Sequence, residues 1–193
     1  METLEILVYS YNELSQEAKD RAIGDYSNKM QITTDDLDHI IEGAKEEAEQ
    51  LGFKDPEFSY SLGNCQGDGL SFKCSYIDTA KFMRALWPGV KTSVLDLICN
   101  NIEFFGRGNT GRYCYAMPGD IEMMIHFYKD LPNIEKMADQ LHDYIQDQYI
   151  NLCAKTEKIG YQEIEYLQSE EHIAEIFEIN EMKFTENGKI FNY

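Results

Sequence analysis

Apolar positions along the chain follow two periods, one near 3.6 residues and one of 2, in alternating segments. Residues 4–11 are β-branched and aromatic and predict a strand. Ser15 follows a polar break. Its hydroxyl can accept from an orphan backbone N–H, so a helix is expected over 16–30 with Ala18, Ala22 and Tyr26 as its stripe. Thr33 or Thr34 is the expected cap of a second helix over 35–51. Leu37, Ile40, Ile41, Ala44, Ala48 and Leu51 form its apolar face, and Gly52 its stop.

The period then changes. Residues 58–62 and 70–76 alternate and predict an antiparallel hairpin around Gly63, Asn64, Gly67, Asp68 and Gly69. Short helices are expected over 80–87 and 94–100, the first ended by Pro88-Gly89. Residues 102–105, 111–117 and 121–128 read as strands, with glycine-rich and Pro-Gly turns between them. The longest helix should start after Pro132, on the stripe Ile134, Met137, Ala138, Leu141, Ile145, Tyr149 and Leu152. Gly160 is expected to break it, and a second helical piece to cover 161–167. Ser169 caps a third helix buried on Ile173, Ile176 and Phe177. A terminal hairpin over 182–193 turns at Glu186-Asn187-Gly188-Lys189. No repeat or linker interrupts this order. It predicts a single α+β domain over 1–193, an antiparallel meandering sheet with helices packed on it. Its parts are an acidic helical stretch (1–57), a sheet-rich middle (58–128) and an acidic helical end (129–193).

Composition adds one outlying quantity. Seventeen basic residues against 35 acidic give a net charge of −18 over 193 residues. The charge is uneven. Residues 1–57 hold 15 acids and 5 bases, 58–119 hold 4 and 6, and 120–193 hold 16 and 6. Such a chain repels nucleic acid, so no direct nucleic-acid partner is expected and a basic protein surface is. Thirteen Tyr and 10 Phe point to a folded core rather than a disordered acidic chain. Five cysteines lack a Cys-x-x-Cys pair, and no apolar run reaches membrane-spanning length. The expectation is a protein of the cytoplasm with reduced thiols and no membrane partner.

Motifs for catalysis are missing. Gly67-Asp68-Gly69 has neither the lysine of a phosphate loop nor the oxygen ligands of a calcium loop. His39, His126, His142 and His172 are dispersed, and no Gly-x-Ser-x-Gly elbow occurs. The chain is therefore read as non-enzymatic, with no cofactor and no metal. Arg107, Arg112, Tyr113 and Tyr115 lie in the only stretch that is not acidic, and could bind a nucleotide by charge and stacking.

Acidic rows are the sharper feature. Glu135, Asp139, Asp143 and Asp147 recur every four residues on the long helix. Four residues rise about 6 Å, an interval comparable with phosphate spacing along one nucleic-acid strand. Asp38, Glu42, Glu46 and Glu49 form a second row, and Glu171, Glu175 and Glu178 a third. Like charges at i,i+4 cost a few tenths of a kcal/mol per pair, so helix stability does not explain the rows. Solvation of an acidic protein is the plainer explanation, and mimicry of a nucleic acid the functional one.

Tyr-Asn-Glu-Leu-Ser-Gln-Glu-Ala-Lys-Asp-Arg-Ala (11–22), Cys-Gln-Gly-Asp-Gly-Leu-Ser-Phe (65–72), Gly-Arg-Tyr-Cys-Tyr (111–115), Glu-Ile-Glu-Tyr-Leu-Gln-Ser-Glu-Glu (163–171) and Phe-Thr-Glu-Asn-Gly-Lys (184–189) form a set. Together they resemble a family of small acidic bacteriophage proteins, some labelled antitoxin. The resemblance implies a viral setting in a bacterial host cell, where small acidic proteins without catalytic residues often inhibit host defence. The leading expectation is an anti-CRISPR-like inhibitor whose acidic rows block a basic nucleic-acid channel of a defence nuclease. Sequestration of a nucleotide signal, and antitoxin-like neutralisation of one basic protein, are the alternatives.

Overall fold

Local rules place most of the helices. In the computed structural model, which describes residues 6–63, 67–108, 119–126 and 132–191, helix α1 runs Gln16–Ser27 and the Ser15 hydroxyl accepts from the Ala18 N–H. Helix α2 (Asp38–Leu51) follows a short 3-10 turn at Asp35–Leu37. The predicted threonine cap is reversed there: the Thr33 N–H and hydroxyl both donate to Asp36, at 2.7 and 2.9 Å. Gly52 ends α2 with φ +123°, a conformation that favours glycine. Helices α3 (Thr79–Leu86) and α4 (Thr92–Cys99) follow, the first capped by Asp78. Helix α5 covers Pro132–Leu167, and α6 (Glu170–Ile179) starts on the Ser169 hydroxyl.

The strands are β1 (Tyr9–Ser10), β2 (Phe53–Lys54), β3 (Glu57–Ser61), β4 (Gly69–Lys73), β5 (Tyr76–Ile77), β6 (Ile102–Arg107), β7 (Asp120–Ile125) and β8 (Lys183–Phe184). The class is α+β. The strands do not form one meander: among the described residues they pair antiparallel as β1–β8, β2–β5, β3–β4 and β6–β7. The predicted hairpin is β3–β4, with Phe58 opposite Phe72 and Ser61 opposite Gly69. The predicted strand 111–117 lies outside the described residues.

The chain divides into two compact units, residues 1–36 with 162–193, and residues 37–161. No linker marks the two boundaries, which fall in the 3-10 turn Asp35–Leu37 and inside α5. The core of the smaller unit gathers Tyr11, Leu14, Ala18, Ala22, Ile173, Phe177 and Phe184. The Phe177 ring packs against those of Tyr11, Tyr26 and Phe184 with centroids 5.0–5.3 Å apart. The larger unit centres on Phe53, Phe72, Phe82 and Tyr149, where Phe53 meets Phe72 edge-on at 5.2 Å and Tyr149 lies 4.4 Å from Phe72. All four are essentially inaccessible to solvent.

Two further sequence expectations need correction. Within the described residues, the predicted strand 4–11 is a strand only at Tyr9–Ser10, and Tyr11–Glu13 forms a 3-10 turn. The Ser10 N–H and hydroxyl donate to Glu13 at 2.8 and 2.7 Å, which curls the chain so that Tyr11 and Leu14 enter the core. Second, α5 runs through Gly160 unbroken. A Cβ at that position would lie 2.5 Å from the Leu62 side chain. The glycine admits a close neighbour, and tertiary packing overrides its helix penalty of about 1 kcal/mol.

Candidate functional site

The acidic row on α5 owes its position to the face opposite it. Ala138, Leu141, Ile145, Tyr149 and Leu152 are buried, as the period predicts. Polar side chains flanking that stripe then bind β7 and fix the rotation of the helix. Gln146 accepts from the Ile121 N–H at 2.7 Å and donates to Gly119 O at 3.3 Å. His142 Nε2 lies 2.5 Å from Ile121 O, so that nitrogen carries the proton. The Tyr149 hydroxyl donates to Phe72 O (2.7 Å) and accepts from the N–H groups of Phe72 and Gly119 (3.0 and 3.2 Å). With α5 held in this way, Glu135, Asp139, Asp143 and Asp147 all point to solvent. Glu135, Asp139 and Asp147 make no ion pair among the described residues. Asp143 lies 3.6 Å from His142 Nδ1, a contact that is an ion pair only when Nδ1 is protonated as well.

The second row belongs to the same unit. Ile41, Ala44 and Ala48 bury the inner face of α2, and Asp38, Glu42, Glu46 and Glu49 are exposed on its outer side. Glu42 pairs with Lys45 at 2.5 Å. Glu47, off the row, holds Lys155 of α5 at 2.6 Å. No hydrogen bond or ion pair joins the two rows among the described residues. The third row, Glu171, Glu175 and Glu178 on α6, is also exposed and lies in the smaller unit.

Arg107 ends β6 and forms an ion pair with Glu122 of β7 at 3.0 Å. It borders a cleft of about 530 Å³ with Asp55, Glu57, Lys73, Cys74 and Ser75. Lys73 in turn pairs with Glu57 at 2.6 Å. Both cations of the cleft therefore already face carboxylates. Burial pushes the Cys74 thiol up to about 11, which keeps it protonated and unreactive at neutral pH. Arg112, Tyr113 and Tyr115 lie outside the described residues, so the nucleotide set is seen only at Arg107.

The Gly67-Asp68-Gly69 stretch is structural. Asp68 accepts from the Ser61 hydroxyl at 2.8 Å and from the Tyr161 hydroxyl at 3.3 Å, tying the β3–β4 hairpin to α5. Among the described residues, no three His, Cys, Asp or Glu side chains are grouped to hold a metal ion, and no helix is long and apolar enough to cross a membrane. Sequence reasoning did not single out Leu86, Trp87 and Tyr144, which line a cleft of about 370 Å³ with Gln140, Asp143 and Asp147 of the α5 row. The two aromatics were signals in hand, but the periodicity assigned neither of them to a surface. Comparison of the chain with protein-family models, with curated proteins and with solved structures finds no match.

Proposed function

We propose that this protein is a non-enzymatic inhibitor that occupies a basic nucleic-acid channel, and that its target is a bacterial defence nuclease of the RNA-guided type. The single observation supporting this reading is the exposed row Glu135, Asp139, Asp143 and Asp147, held on a helix that is immobilised by Tyr149, Gln146 and His142. The helix backbone that carries the row is held before binding, so only the carboxylate side chains are ordered on association. Its repeat of about 6 Å suits lysines and arginines arranged to meet successive phosphates. The row on α2 adds acidic surface to the same unit. Complementary charge makes such association fast and sensitive to salt. The defence setting comes from the resemblance to small acidic bacteriophage proteins; an antitoxin-like partnership with one basic protein would use the same surface.

The test is inhibition of DNA cleavage by a panel of purified RNA-guided nucleases at two salt concentrations. At least one is expected to be inhibited, less strongly at high salt. The combined change Glu135→Gln, Asp139→Asn, Asp143→Asn and Asp147→Asn should weaken that inhibition by well over tenfold. Unchanged inhibition by the fourfold variant would sink the mimic mechanism. No inhibition of any nuclease would remove the defence target, and co-purification from host cells would then name the basic partner.

A further inference from the structure

The cleft beside the α5 row has a lining that the row does not explain. Leu86 and Trp87 come from the C-terminal end of α3; Gln140, Asp143, Tyr144 and Asp147 come from α5. The Trp87 N–H closes α3 by donating to Met83 O at 2.8 Å, and Pro88-Gly89 then turns the chain away. Trp87 and Tyr144 pack on the core of the larger unit and remain half-buried. The Tyr144 ring stands edge-on to Phe82, with centroids 6.2 Å apart. Asp143 and Asp147 are one helical turn apart in this lining. Among the described residues no basic side chain lines the cleft, and Asp147 has no ion-pair partner.

We infer that this cleft receives one arginine side chain of a partner protein. The inference rests on the reading of the α5 row as a partner-binding face, and names the point at which that face anchors. At about 370 Å³ the cleft is at the small end of the range for ligand pockets, a size that suits a side chain better than a large ligand. Its chemistry selects a cation. Aromatic faces attract positive charge through the ring quadrupole, and the two carboxylates add Coulomb attraction while excluding anions. Guanidinium fits better than ammonium. It is planar and weakly hydrated, so it stacks on an indole or phenol face and still presents N–H donors at its edge to Asp143, Asp147 and the Gln140 carbonyl. Leu86 offers apolar surface to the methylene stem. Pairs of Trp or Tyr with Arg are the usual energetic centres of protein interfaces, whereas an exposed acidic row mainly accelerates encounter.

Trp87 is the only tryptophan, so its fluorescence reports on this cleft alone. The experiment titrates the full chain with a blocked Gly-Arg-Gly tripeptide, following Trp87 emission and the indole N–H resonance. A saturable change is expected with arginine and none with citrulline in its place. Asp143→Asn with Asp147→Asn should weaken binding about tenfold. Removing two carboxylates from the other unit, Glu165→Gln with Glu181→Gln, should change it less than twofold. A response to citrulline equal to that of arginine, or an unaltered affinity in the Asp143/Asp147 variant, overturns the inference. Its failure is separable from that of the inhibitor reading. A tripeptide response without inhibition of any nuclease supports the cleft and removes the target. Inhibition sensitive to the fourfold variant, without a tripeptide response, does the reverse.

Discussion

The Tyr149 hydroxyl makes three hydrogen bonds in a site closed to solvent, two to Phe72 and one to Gly119. Burial pushes its phenol above the usual tyrosine range, so it stays protonated and remains a donor to Phe72 O. Tyr149→Phe keeps the ring packing and leaves two backbone N–H groups and a carbonyl without this partner. A buried unsatisfied group costs about 1–3 kcal/mol, and partial relaxation keeps the three from adding fully. The variant should lose about 2–4 kcal/mol of stability, seen as a lower urea midpoint with an unchanged slope. In the sequence, Tyr149 is only one more apolar position on a helical stripe. Its polar role depends on β4, which no local pattern could bring to it.

Glycines decide where elements close. Gly188 sits in the turn after β8 with φ +84°, and an added Cβ would strike the Ala18 carbonyl of α1. Backbone cannot yield as a side-chain end can. Gly188→Ala should therefore cost at least about 2 kcal/mol, from the left-handed conformation and the clash together. The readout is faster amide exchange in α1 and α6, which pack in the same core. Gly160→Ala is the contrast. Its neighbour is the flexible end of Leu62, and alanine regains about 1 kcal/mol of helix propensity. Its net effect should stay within about 1 kcal/mol of zero in amide exchange of α5 and the β3–β4 hairpin. The sequence marks both glycines as punctuation. Gly188 does lie in a turn, but Gly160 lies inside a helix, because close packing and chain reversal leave the same residue type.

Charge and thiol chemistry act on the whole molecule. The smaller unit carries 16 acidic and 5 basic residues, and the larger 19 and 12, so both are net acidic. Burial holds the Cys74 thiol up to about 11 and the Cys153 thiol up to about 12, against an ordinary value of 9.0. Above the ordinary value the unfolded chain binds fewer protons than the folded one. The thiol contribution to stability is therefore complete below about pH 9 and is lost as pH rises through about 11 and 12. Urea midpoints measured across this range should decline with pH, and Cys74→Ala with Cys153→Ala should flatten the decline. What the sequence determined by itself is local: the inner and outer faces of α2 and α5, the caps at Ser15 and Ser169, the β3–β4 hairpin and the exposure of the acidic rows. Helical period and hydrogen-bonding side chains act within a few residues, so they can be read in order along the chain. Tertiary structure alone decided the pairing of β1 with β8, the passage of α5 through Gly160, the Tyr149 bonds, and the meeting of Trp87 with Asp143, Tyr144 and Asp147. Each of these joins residues far apart in sequence, and their proximity is set by how two buried faces pack, which neither period encodes.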